Sequence, residues 1–306
     1  MKHFISFNDI SPQELNELLD WSSELKFQTK NNIPHLLLKG KTLGMIFSKS
    51  STRTRVSFEV GMYQLGGHAL FLSSQDIQLG RGESVEDTAK VLSRFVDGIM
   101  IRTFDHKDVC DLAKYGSIPV INGLTDLMHP CQALADLLTV KEKFGYLKGL
   151  KMAYLGDGNN VANSLLHACS KAGMHICVAT PKGYECDAGC VRESIKQAKI
   201  TGGSVNTTND PEEAILNADV VYTDTWISMG QESEKERKIP LFMPYQVNEK
   251  LMSHASKDVI FLHCLPAYRE YEVSSAVIDG PSSMVFDQAE NRLHAQKAIL
   301  VKLLGN

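Results

Sequence analysis

Short apolar runs rich in β-branched residues alternate along this chain with longer amphipathic stretches. This alternation is typical of βαβ units, in which parallel strands form one sheet and the connecting helices cover its faces. Two series of such units occur, separated by the glycines at 145 and 149. The pattern predicts an α/β protein with two domains, each a parallel sheet flanked by helices, and an active-site cleft between the domains.

The predicted strands and helices follow this division. Strands are predicted at residues 42–47, 68–72, 98–102 and 118–121 in the first domain, and at 151–155, 176–179, 220–223 and 259–263 in the second. One predicted helix carries Val56, Val60 and Tyr63 at helical spacing, and another begins at Ser84. Further helices are predicted at 131–144, 161–172, 189–198, 212–216 and 287–304.

Chain length agrees with two domains, because 306 residues are about twice the ~150 residues of a typical domain. We predict a first domain of residues 1–147, onto which the final helix at 287–306 packs back, and a second domain of residues 148–286.

The charge balance excludes some classes of partner. With 36 acidic and 32 basic residues, the net charge of −4 gives no general attraction for nucleic acid or anionic lipid. No apolar run approaches the ~18 residues of a membrane-spanning helix, and the first residues lack the apolar core of a signal peptide. We therefore expect a cytoplasmic protein without nucleic-acid or membrane partners, in which any anion site is local.

The cysteines give no sign of a disulfide framework or a metal site. Their number is seven, which is odd, and none forms a CxxC pair. Cys186 and Cys190 lie close in sequence, but no further cysteine or histidine pair completes a zinc site. We expect reduced thiols and no bound metal.

A strand that runs directly into a helix carries the candidate anion site. The predicted strand 42–47 is followed by hydroxyl-bearing and cationic residues, namely Ser48, Lys49, Ser50, Ser51, Thr52, Arg53, Thr54 and Arg55. Unpaired N–H groups at a helix start point toward a ligand, and the helix dipole favours an anion there. Arg53 adds a planar pair of donors suited to two phosphate oxygens. The segment lacks the glycines of a Walker P-loop, so it predicts a phosphate site of another kind.

Two segments of the first domain resemble a known family. Residues 51–55, STRTR, resemble the carbamoyl-phosphate signature of the aspartate and ornithine carbamoyltransferases. Residues 129–136, HPCQALAD, resemble the histidine-containing segment of the same family, in the same order along the chain. The resemblance covers essentially the whole chain. It implies that carbamoyl phosphate binds to the first domain and an amino acid to the second, without a metal or an organic cofactor.

The resemblance also implies which residues contact carbamoyl phosphate: Ser51, Thr52, Arg53, Thr54, Gln78, Arg102, His129, Gln132, Cys264, Leu265 and Arg292. His129 precedes a predicted helix, where a neutral imidazole can donate to an oxygen that gains negative charge. Arg102 ends a predicted strand, and active sites of parallel sheets collect at such ends. Gln78 matches the position from which ornithine carbamoyltransferases reach into a neighbouring subunit, which implies a homotrimer with sites at subunit interfaces.

The segment after the predicted strand 220–223 indicates which amino acid accepts the carbamoyl group. Residues 224–231, DTWISMGQ, resemble the loop that closes over the amino acid in ornithine carbamoyltransferases and that aspartate carbamoyltransferases lack. The carboxylate of Asp224 suits a cationic amine and would repel an aspartate side chain. The resemblance adds Ser228 and Met229 to the ornithine site, and Gly230 is a candidate hinge for closure.

Residues 156–161, GDGNNV, partly match a dinucleotide-binding fingerprint. Val161 replaces the third glycine, and the next predicted strand ends without an acid for a ribose, which weakens the alternative of a nicotinamide oxidoreductase. The resemblance instead assigns Asn160 to the α-carboxylate or α-amine of ornithine.

Residues 263–266, HCLP, again match the ornithine enzymes. The resemblance puts Cys264 near the reacting amine and assigns the backbone at Cys264 and Leu265 to the carbonyl oxygen. A covalent cysteine intermediate is unnecessary, because an amine can attack directly.

The sequence therefore predicts transfer of the carbamoyl group from carbamoyl phosphate to the δ-amine of L-ornithine, giving L-citrulline and phosphate. The predicted catalytic residues are Arg102, His129, Asp224 and Cys264. Two alternatives stay open at this point: a carbamoyltransferase for another amine such as putrescine, and a non-catalytic sensor that binds amino acids or phosphate. Arginine biosynthesis is the expected direction, whereas a trimer and a larger assembly of trimers are equally compatible with the sequence.

Overall fold

The computed structural model describes residues 1–78, 82–227 and 234–305, and in it the chain forms two compact units. The first unit comprises Met1–Leu138 and Glu290–Asn306, and the second comprises Thr139–Ala289. Each contains one parallel sheet with helices around it, which confirms the predicted α/β class. The predicted domain boundaries at 147/148 and 286/287 stay a prediction, because a compact unit is not by itself a domain that folds alone.

Helices and strands alternate through the first unit. They are α1 (Pro12–Lys30), β1 (Thr42–Phe47), α2 (Thr52–Gln64), β2 (His68–Ser73), α3 (Val85–Leu92), β3 (Gly98–Arg102), α4 (His106–Tyr115), β4 (Val120–Leu124) and α5 (Pro130–Phe144). The sheet has the strand order β2-β1-β3-β4, and its neighbouring strands are parallel. Residues of β1 and β3 such as Ile46, Ile99 and Ile101 pack against Val109 and Leu112 of α4 and form the core.

The second unit repeats this plan with five strands. Its elements are β5 (Lys151–Leu155), α6 (Asn160–Ala172), β6 (His175–Ala179), α7 (Ala188–Thr201), β7 (Ser204–Thr208), α8 (Pro211–Ile215), β8 (Val220–Thr223), α9 (Lys235–Phe242), α10 (Glu249–Met252), β9 (Ile260–Leu262) and α11 (Ser275–Ile278). Helix α12 (Val285–Leu304) follows in the chain, and its residues from Glu290 onward belong to the first unit. The strand order is β7-β6-β5-β8-β9, all parallel. The carboxyl ends of β5, β8 and β9 therefore lie side by side, which positions the residues that follow each strand.

The apolar face of α2 differs from the one that its sequence predicts. The helix forms, but Val56 is 51% exposed and Tyr63 is 81% exposed. Its buried face instead carries Phe58 and Met62, together with small and polar residues. Helical spacing of apolar residues thus identified the helix but not the side that faces the core of this unit.

No helix in the described part of the chain is both long enough and apolar enough to span a bilayer.

Candidate active site

The first cluster begins where β1 ends and α2 starts. Ser51 is the N-cap of α2, and its hydroxyl accepts a hydrogen bond from the N–H of Thr54 at 3.2 Å. The first amides of a helix have no partner within it, and here they belong to Thr52 and Arg53. Thr54 is buried, whereas Thr52 is exposed. The junction therefore has the local form of an anion site at a helix N-terminus.

Arg102 lies beside this junction because β1 and β3 are neighbours in the sheet. Its partner in the β1 register is Phe47, and its carbonyl oxygen accepts a hydrogen bond from the N–H of Ser48 at 2.8 Å. The Arg102 side chain is buried. The adjacent carboxyl ends of β1 and β3 thus bring a guanidinium group close to the start of α2.

A buried histidine lies near the same cations. His129 directly precedes α5, and its side chain is buried. Burial, together with the positive charges of Arg292, Arg102 and Arg53, holds the pKa of His129 well below its usual range. The imidazole is therefore neutral at neutral pH and acts as a hydrogen-bonding group without a charge.

Arg292 of α12 joins α2 to α5 within the first unit. Its Nη1 donates to Gln132 Oε1 at 2.7 Å, and its Nη2 donates to Thr54 Oγ1 at 3.1 Å. Gln132 in turn donates from Nε2 to Asp136 Oδ1 at 2.7 Å. All four side chains are buried. The structure thus joins three predicted donor-site residues from three helices by hydrogen bonds.

Gln78 is exposed, and its carbonyl oxygen accepts a hydrogen bond from the N–H of Glu83 at 3.1 Å. A residue that acts in a neighbouring subunit needs no contact with the site of its own chain. The role of Gln78 therefore stays a prediction.

Asp224 is the centre of a second cluster, in the second unit. It follows β8, and its side chain is buried. Its Oδ2 accepts from Asn159 Nδ2 at 2.8 Å, and its Oδ1 accepts from the N–H of Thr225 at 2.8 Å and from the Cys264 thiol at 2.9 Å. Donors that follow three different strands therefore orient one buried carboxylate.

Asn159 connects this carboxylate to the start of α6. It is the N-cap of that helix, and its Oδ1 accepts from the N–H groups of Val161 at 2.9 Å and Ala162 at 3.1 Å. Because the oxygen is used in capping, the Asn159 amide nitrogen is the end that is left to face Asp224. Asn160, the predicted ornithine ligand, is the next residue and is partly exposed.

The segment after β9 has a defined hydrogen-bond pattern around a buried histidine. His263 Nδ1 accepts from the N–H of Leu265 at 2.9 Å, and His263 Nε2 lies 3.3 Å from Glu272 Oε1. The peptide bond between Leu265 and Pro266 is cis. The N–H of Leu265 therefore has an acceptor within the chain. The assignment of the backbone at Cys264 and Leu265 to the carbamoyl group stays a prediction.

Ser228 and Met229, both predicted to contact ornithine, lie outside the described residues, as does Gly230.

Comparison with known proteins identifies the family. Residues 2–142 match the carbamoyl-P binding domain of the aspartate/ornithine carbamoyltransferases, and residues 148–303 match their Asp/Orn binding domain. The ornithine carbamoyltransferase of Anoxybacillus flavithermus is 59% identical over 303 residues, which are 99% of this chain and 96% of that protein. The chain belongs to the aspartate/ornithine carbamoyltransferase family.

Solved structures of ornithine carbamoyltransferases agree with this membership of the carbamoyltransferase family. That of Pyrococcus furiosus is 54% identical, with a TM-score of 0.96 over 99% of this chain and 97% of that chain. The anabolic enzyme of Campylobacter jejuni is 46% identical, with a TM-score of 0.92 over 99% of both chains. The resemblance drawn from the motifs at residues 51–55 and 129–136 is thereby confirmed.

Three side chains of this carbamoyltransferase could hold a metal ion. The ligand atoms of Asp224, His263 and Cys264 lie within 4.8 Å of one another. In the structure the Cys264 thiol donates to Asp224, and His263 Nδ1 accepts from the N–H of Leu265. A metal ion bound to these side chains would have to displace the hydrogen bond from the Cys264 thiol to Asp224.

Sequence reasoning missed a buried ion pair of the second unit. Lys238 is 2% exposed, and its Nζ donates to Asp157 Oδ2 at 2.7 Å and to the carbonyl oxygen of Trp226 at 3.1 Å. Burial raises the pKa of Asp157, although Lys238 acts in the opposite direction. The pair joins the turn before Asn160 to the segment after Asp224. No pattern in the sequence marks this lysine as buried, because it follows the charged run at residues 234–237.

Proposed function

We propose that this chain transfers the carbamoyl group of carbamoyl phosphate to the δ-amine of L-ornithine, giving L-citrulline and phosphate. The observation that carries the proposal is the buried and oriented carboxylate of Asp224, in a family whose acceptors are aspartate and ornithine. A fixed carboxylate attracts a cationic amine and repels the side chain of aspartate. Relatives that are 56–59% identical are named ornithine carbamoyltransferases, which agrees with this choice.

Carbamoyl phosphate carries negative charge, and the first unit collects the groups that can hold it. In this proposal the first amides of α2, the hydroxyls of Ser51 and Thr52, and the guanidinium of Arg53 bind the phosphate. Arg292 holds Thr54 and Gln132 in place from a third helix. The mutual proximity of Arg53, Arg102 and Arg292 to a neutral His129 supports the assignment, because an anionic ligand would balance their charge.

The proposed reaction is a direct attack by the amine. The δ-ammonium group of ornithine first loses a proton to solvent, and its nitrogen lone pair then forms a bond to the carbonyl carbon of carbamoyl phosphate. The bond from that carbon to the phosphate oxygen breaks, the electron pair leaves with phosphate, and phosphate takes one of the two amine protons while the other stays on the ureido nitrogen. Citrulline and hydrogen phosphate result.

Positioning and electrostatics supply the acceleration in this proposal. Arg102, His129 and Thr54 donate to the carbonyl oxygen as it gains negative charge. Gln132 and the backbone carbonyls of Cys264 and Leu265 accept from the carbamoyl NH2, because this group is a hydrogen-bond donor. Asp224, held by Cys264 and Asn159, orients the amine of ornithine, and the remaining contacts of the amino acid are assigned to Asn160, Ser228 and Met229.

The setting of the enzyme is also a proposal. We assign it to arginine biosynthesis, which the similarity to the anabolic enzyme of Campylobacter jejuni supports. We assign it to the cytoplasm, where thiols such as those of its seven cysteines are kept reduced.

A homotrimer is the proposed assembly. Apolar side chains of α2 and of the edge strand β2 are exposed on the first unit, namely Val56, Tyr63, Leu70 and Phe71. An edge strand and an exposed apolar patch are features that natural proteins cover with a partner. The exposed Gln78 follows β2 in the chain, which supports its action in a neighbouring subunit.

A turnover assay tests the function. The purified protein is mixed with carbamoyl phosphate and, in separate reactions, with L-ornithine, putrescine or L-aspartate, and both ureido product and phosphate are measured. We expect product with L-ornithine alone. Arg53→Ala should lower kcat/KM by at least about 100-fold, since it removes a charged donor to the leaving group. Arg192→Ala, at an exposed position of α7, is the control and should leave the rate unchanged.

The other outcomes separate the alternatives. Turnover with putrescine in place of L-ornithine would refute the assignment of Asn160 and Ser228 to the amino-acid end of the acceptor. Binding of carbamoyl phosphate without turnover of any amine would refute catalysis and favour a sensor.

A further inference from the structure

Asp136 is a fully buried carboxyl group to which the proposed reaction gives no role. It lies on α5, one helical turn after Gln132, and its Oδ1 accepts a hydrogen bond from Gln132 Nε2 at 2.7 Å. The other end of the same amide is also engaged, because Gln132 Oε1 accepts from Arg292 Nη1 at 2.7 Å. Gln132 is thus held between a carboxyl group and a guanidinium group.

These two neighbours distinguish the ends of the Gln132 amide. A guanidinium group has only donors, and Asp136 Oδ1 acts as an acceptor for the Gln132 NH2. Rotating the amide by half a turn would put its NH2 against Arg292 and its oxygen against Asp136. The contact with Arg292 would then be repulsive and the hydrogen bond from the NH2 to Asp136 would be lost, at positions shielded from water, where unpaired polar groups are costly. One orientation of the amide is therefore strongly preferred.

We propose that Asp136 is a positioning residue that fixes the Gln132 amide with its oxygen toward carbamoyl phosphate, and so makes the site selective for an NH2 group. The inference rests on the proposed function, in which Gln132 contacts the carbamoyl group. An amide oxygen has two lone pairs, so it can accept from Arg292 and from a ligand at once. The carbamoyl NH2 is a donor, whereas the methyl of an acetyl group is not.

The consequence is a discrimination between acyl phosphates of equal charge and similar size. Acetyl phosphate differs from carbamoyl phosphate in carrying CH3 where the latter carries NH2. A buried acceptor that meets a methyl group loses its partner, and sites built in this way reject the analogue that lacks the donor. If the amide were free to rotate, Gln132 would present its own NH2 in part of the molecules, and the preference would weaken.

Two stable ligands test the proposal without turnover. Phosphonoacetamide carries the amide NH2, and 2-oxopropylphosphonate carries CH3 in its place. Their dissociation constants are measured by calorimetry on the wild-type protein, Asp136→Leu and Asp136→Asn. We expect Asp136→Leu to weaken phosphonoacetamide by about 10-fold, the scale of one lost polar contact, and to change 2-oxopropylphosphonate by less than about 2-fold. Asp136→Asn should stay near the wild type, because its side-chain oxygen can still accept from Gln132.

Three further results would overturn the proposal. Equal weakening of both ligands by Asp136→Leu would show a structural role alone. An effect of Asp136→Asn as large as that of Asp136→Leu would show that charge matters and amide orientation does not. In a Gln132→Leu background, a further change of the ratio on adding Asp136→Leu would show that Asp136 acts by another route.

A second variant keeps the test decisive if Asp136→Leu does not fold. Asp136→Ser has a hydroxyl that is too short to reach Gln132 Nε2, and the same loss of preference is expected from it. Citrulline formation by the wild-type protein is measured separately. An active enzyme with an unaltered ligand ratio in Asp136→Ser would refute this inference alone, whereas an inactive wild type would refute the proposed function.

Discussion

His129 lies buried among positive charges, and the burial and the charges both lower its pKa. Removal from water penalises the imidazolium form, and the guanidinium groups of Arg292, Arg102 and Arg53 repel it. A neutral imidazole still donates one hydrogen bond. In the proposed reaction that bond strengthens as the carbonyl oxygen gains negative charge, which is how a fixed donor accelerates acyl transfer.

We expect His129 to stay neutral between about pH 6 and 8. Its pKa in the folded state lies below the ordinary value of 6.5, so the unfolded state binds more protons below that pH. Its contribution to stability is therefore complete above pH 6.5 and is lost as the pH falls. NMR of the imidazole carbons, with the signal assigned through His129→Asn, measures this directly. A His129 signal that titrates with a midpoint near 6.5 would contradict the prediction.

Lys238 should affect one substrate more than the other. The ion pair with Asp157 and the hydrogen bond to Trp226 hold the segments that carry Asn160 and Asp224. We expect Lys238→Met to raise the KM for L-ornithine by on the order of 10-fold, because small displacements of positioning groups are costly, and to leave the KM for carbamoyl phosphate within about 2-fold. Steady-state kinetics provide the test.

The control for Lys238 is Lys196→Met, at an exposed lysine of α7 in the same unit. Lys238→Arg should recover most of the affinity for L-ornithine, since it keeps the charge. Equal increases in both KM values would mean that Lys238 serves general stability.

The local positions of residues 51–54 and 129–132 could be predicted, because both segments are contiguous motifs at the start of a helix; their role in a donor site stays a prediction. Asp136 lies in the same motif as Gln132. Its proposed role in orienting Gln132 could not be predicted, because it also depends on Arg292, which comes from the other end of the chain. Lys238 was not predictable, because a lysine in a charged segment is usually solvated. Its burial depends on tertiary contacts with Asp157 and Trp226.

At the scale of elements, the start of α2 combines a structural and a proposed functional role in one residue. Ser51 caps the helix by accepting from the N–H of Thr54, and the proposed function also gives it a phosphate contact. Ser84 caps α3 in the same way, accepting from the N–H of Asp87 at 3.0 Å. The two serines therefore allow the two roles to be separated.

Ser51→Ala and Ser84→Ala should each lower the free energy of unfolding by about 1 kcal/mol, the usual loss for an N-cap. Only Ser51→Ala should also raise the KM for carbamoyl phosphate, by about 3-fold to 10-fold, the scale of one hydrogen bond to a charged group. Chemical denaturation and steady-state kinetics measure the two quantities. An equal effect of both variants on KM would argue against a phosphate contact at Ser51.

Elements were predictable where a strand is buried on both faces. Strands β1, β3, β5 and β8 have the bounds that their apolar runs predict. The edge strand β7 was missed because Ser204–Thr208 carries polar residues and is largely unburied, so no apolar run marks it. Strand β4 was predicted at 118–121 but lies at Val120–Leu124, since Asn122 and Gly123 interrupt the apolar pattern without ending the strand.

Helices α1 and α4 were missed for another reason. Helix α1 has a capping box between Ser11 and Glu14 and a buried face with Leu15, Leu18 and Leu25. That signal was present, but charged residues interleave with the leucines and dilute the pattern. Helix α4 is short and buries Val109 and Leu112 alone among its residues. Both helices acquire their stability from packing, which a single sequence shows only weakly.

At the scale of the whole molecule, the proposed trimer accounts for apolar side chains that the first unit leaves exposed. Tyr63 is 81% exposed on α2, and Phe71 of the edge strand β2 is 38% exposed. We expect light scattering after size exclusion to give about 100 kDa, three times the 33.9 kDa of the chain, or a multiple of that mass. Tyr63→Glu with Phe71→Glu should shift the mass toward that of one chain, because it places charge on the apolar patch.

Ile200→Glu is the matched control for the trimer, since Ile200 is 78% exposed on the second unit. It should leave the mass unchanged. A wild-type mass of one chain would rule out the proposed role of Gln78 in a neighbouring subunit.

The proposed reaction joins the carbamoyl carbon to the side-chain nitrogen of ornithine. The most direct measurement follows carbamoyl phosphate labelled with ¹³C at the carbonyl, mixed with L-ornithine and the wild-type protein, by NMR with parallel phosphate determination. We expect the label to move into the ureido carbon of citrulline, with one phosphate released for each citrulline formed. Release of phosphate with the label in carbonate or cyanate, and none in citrulline, would contradict it.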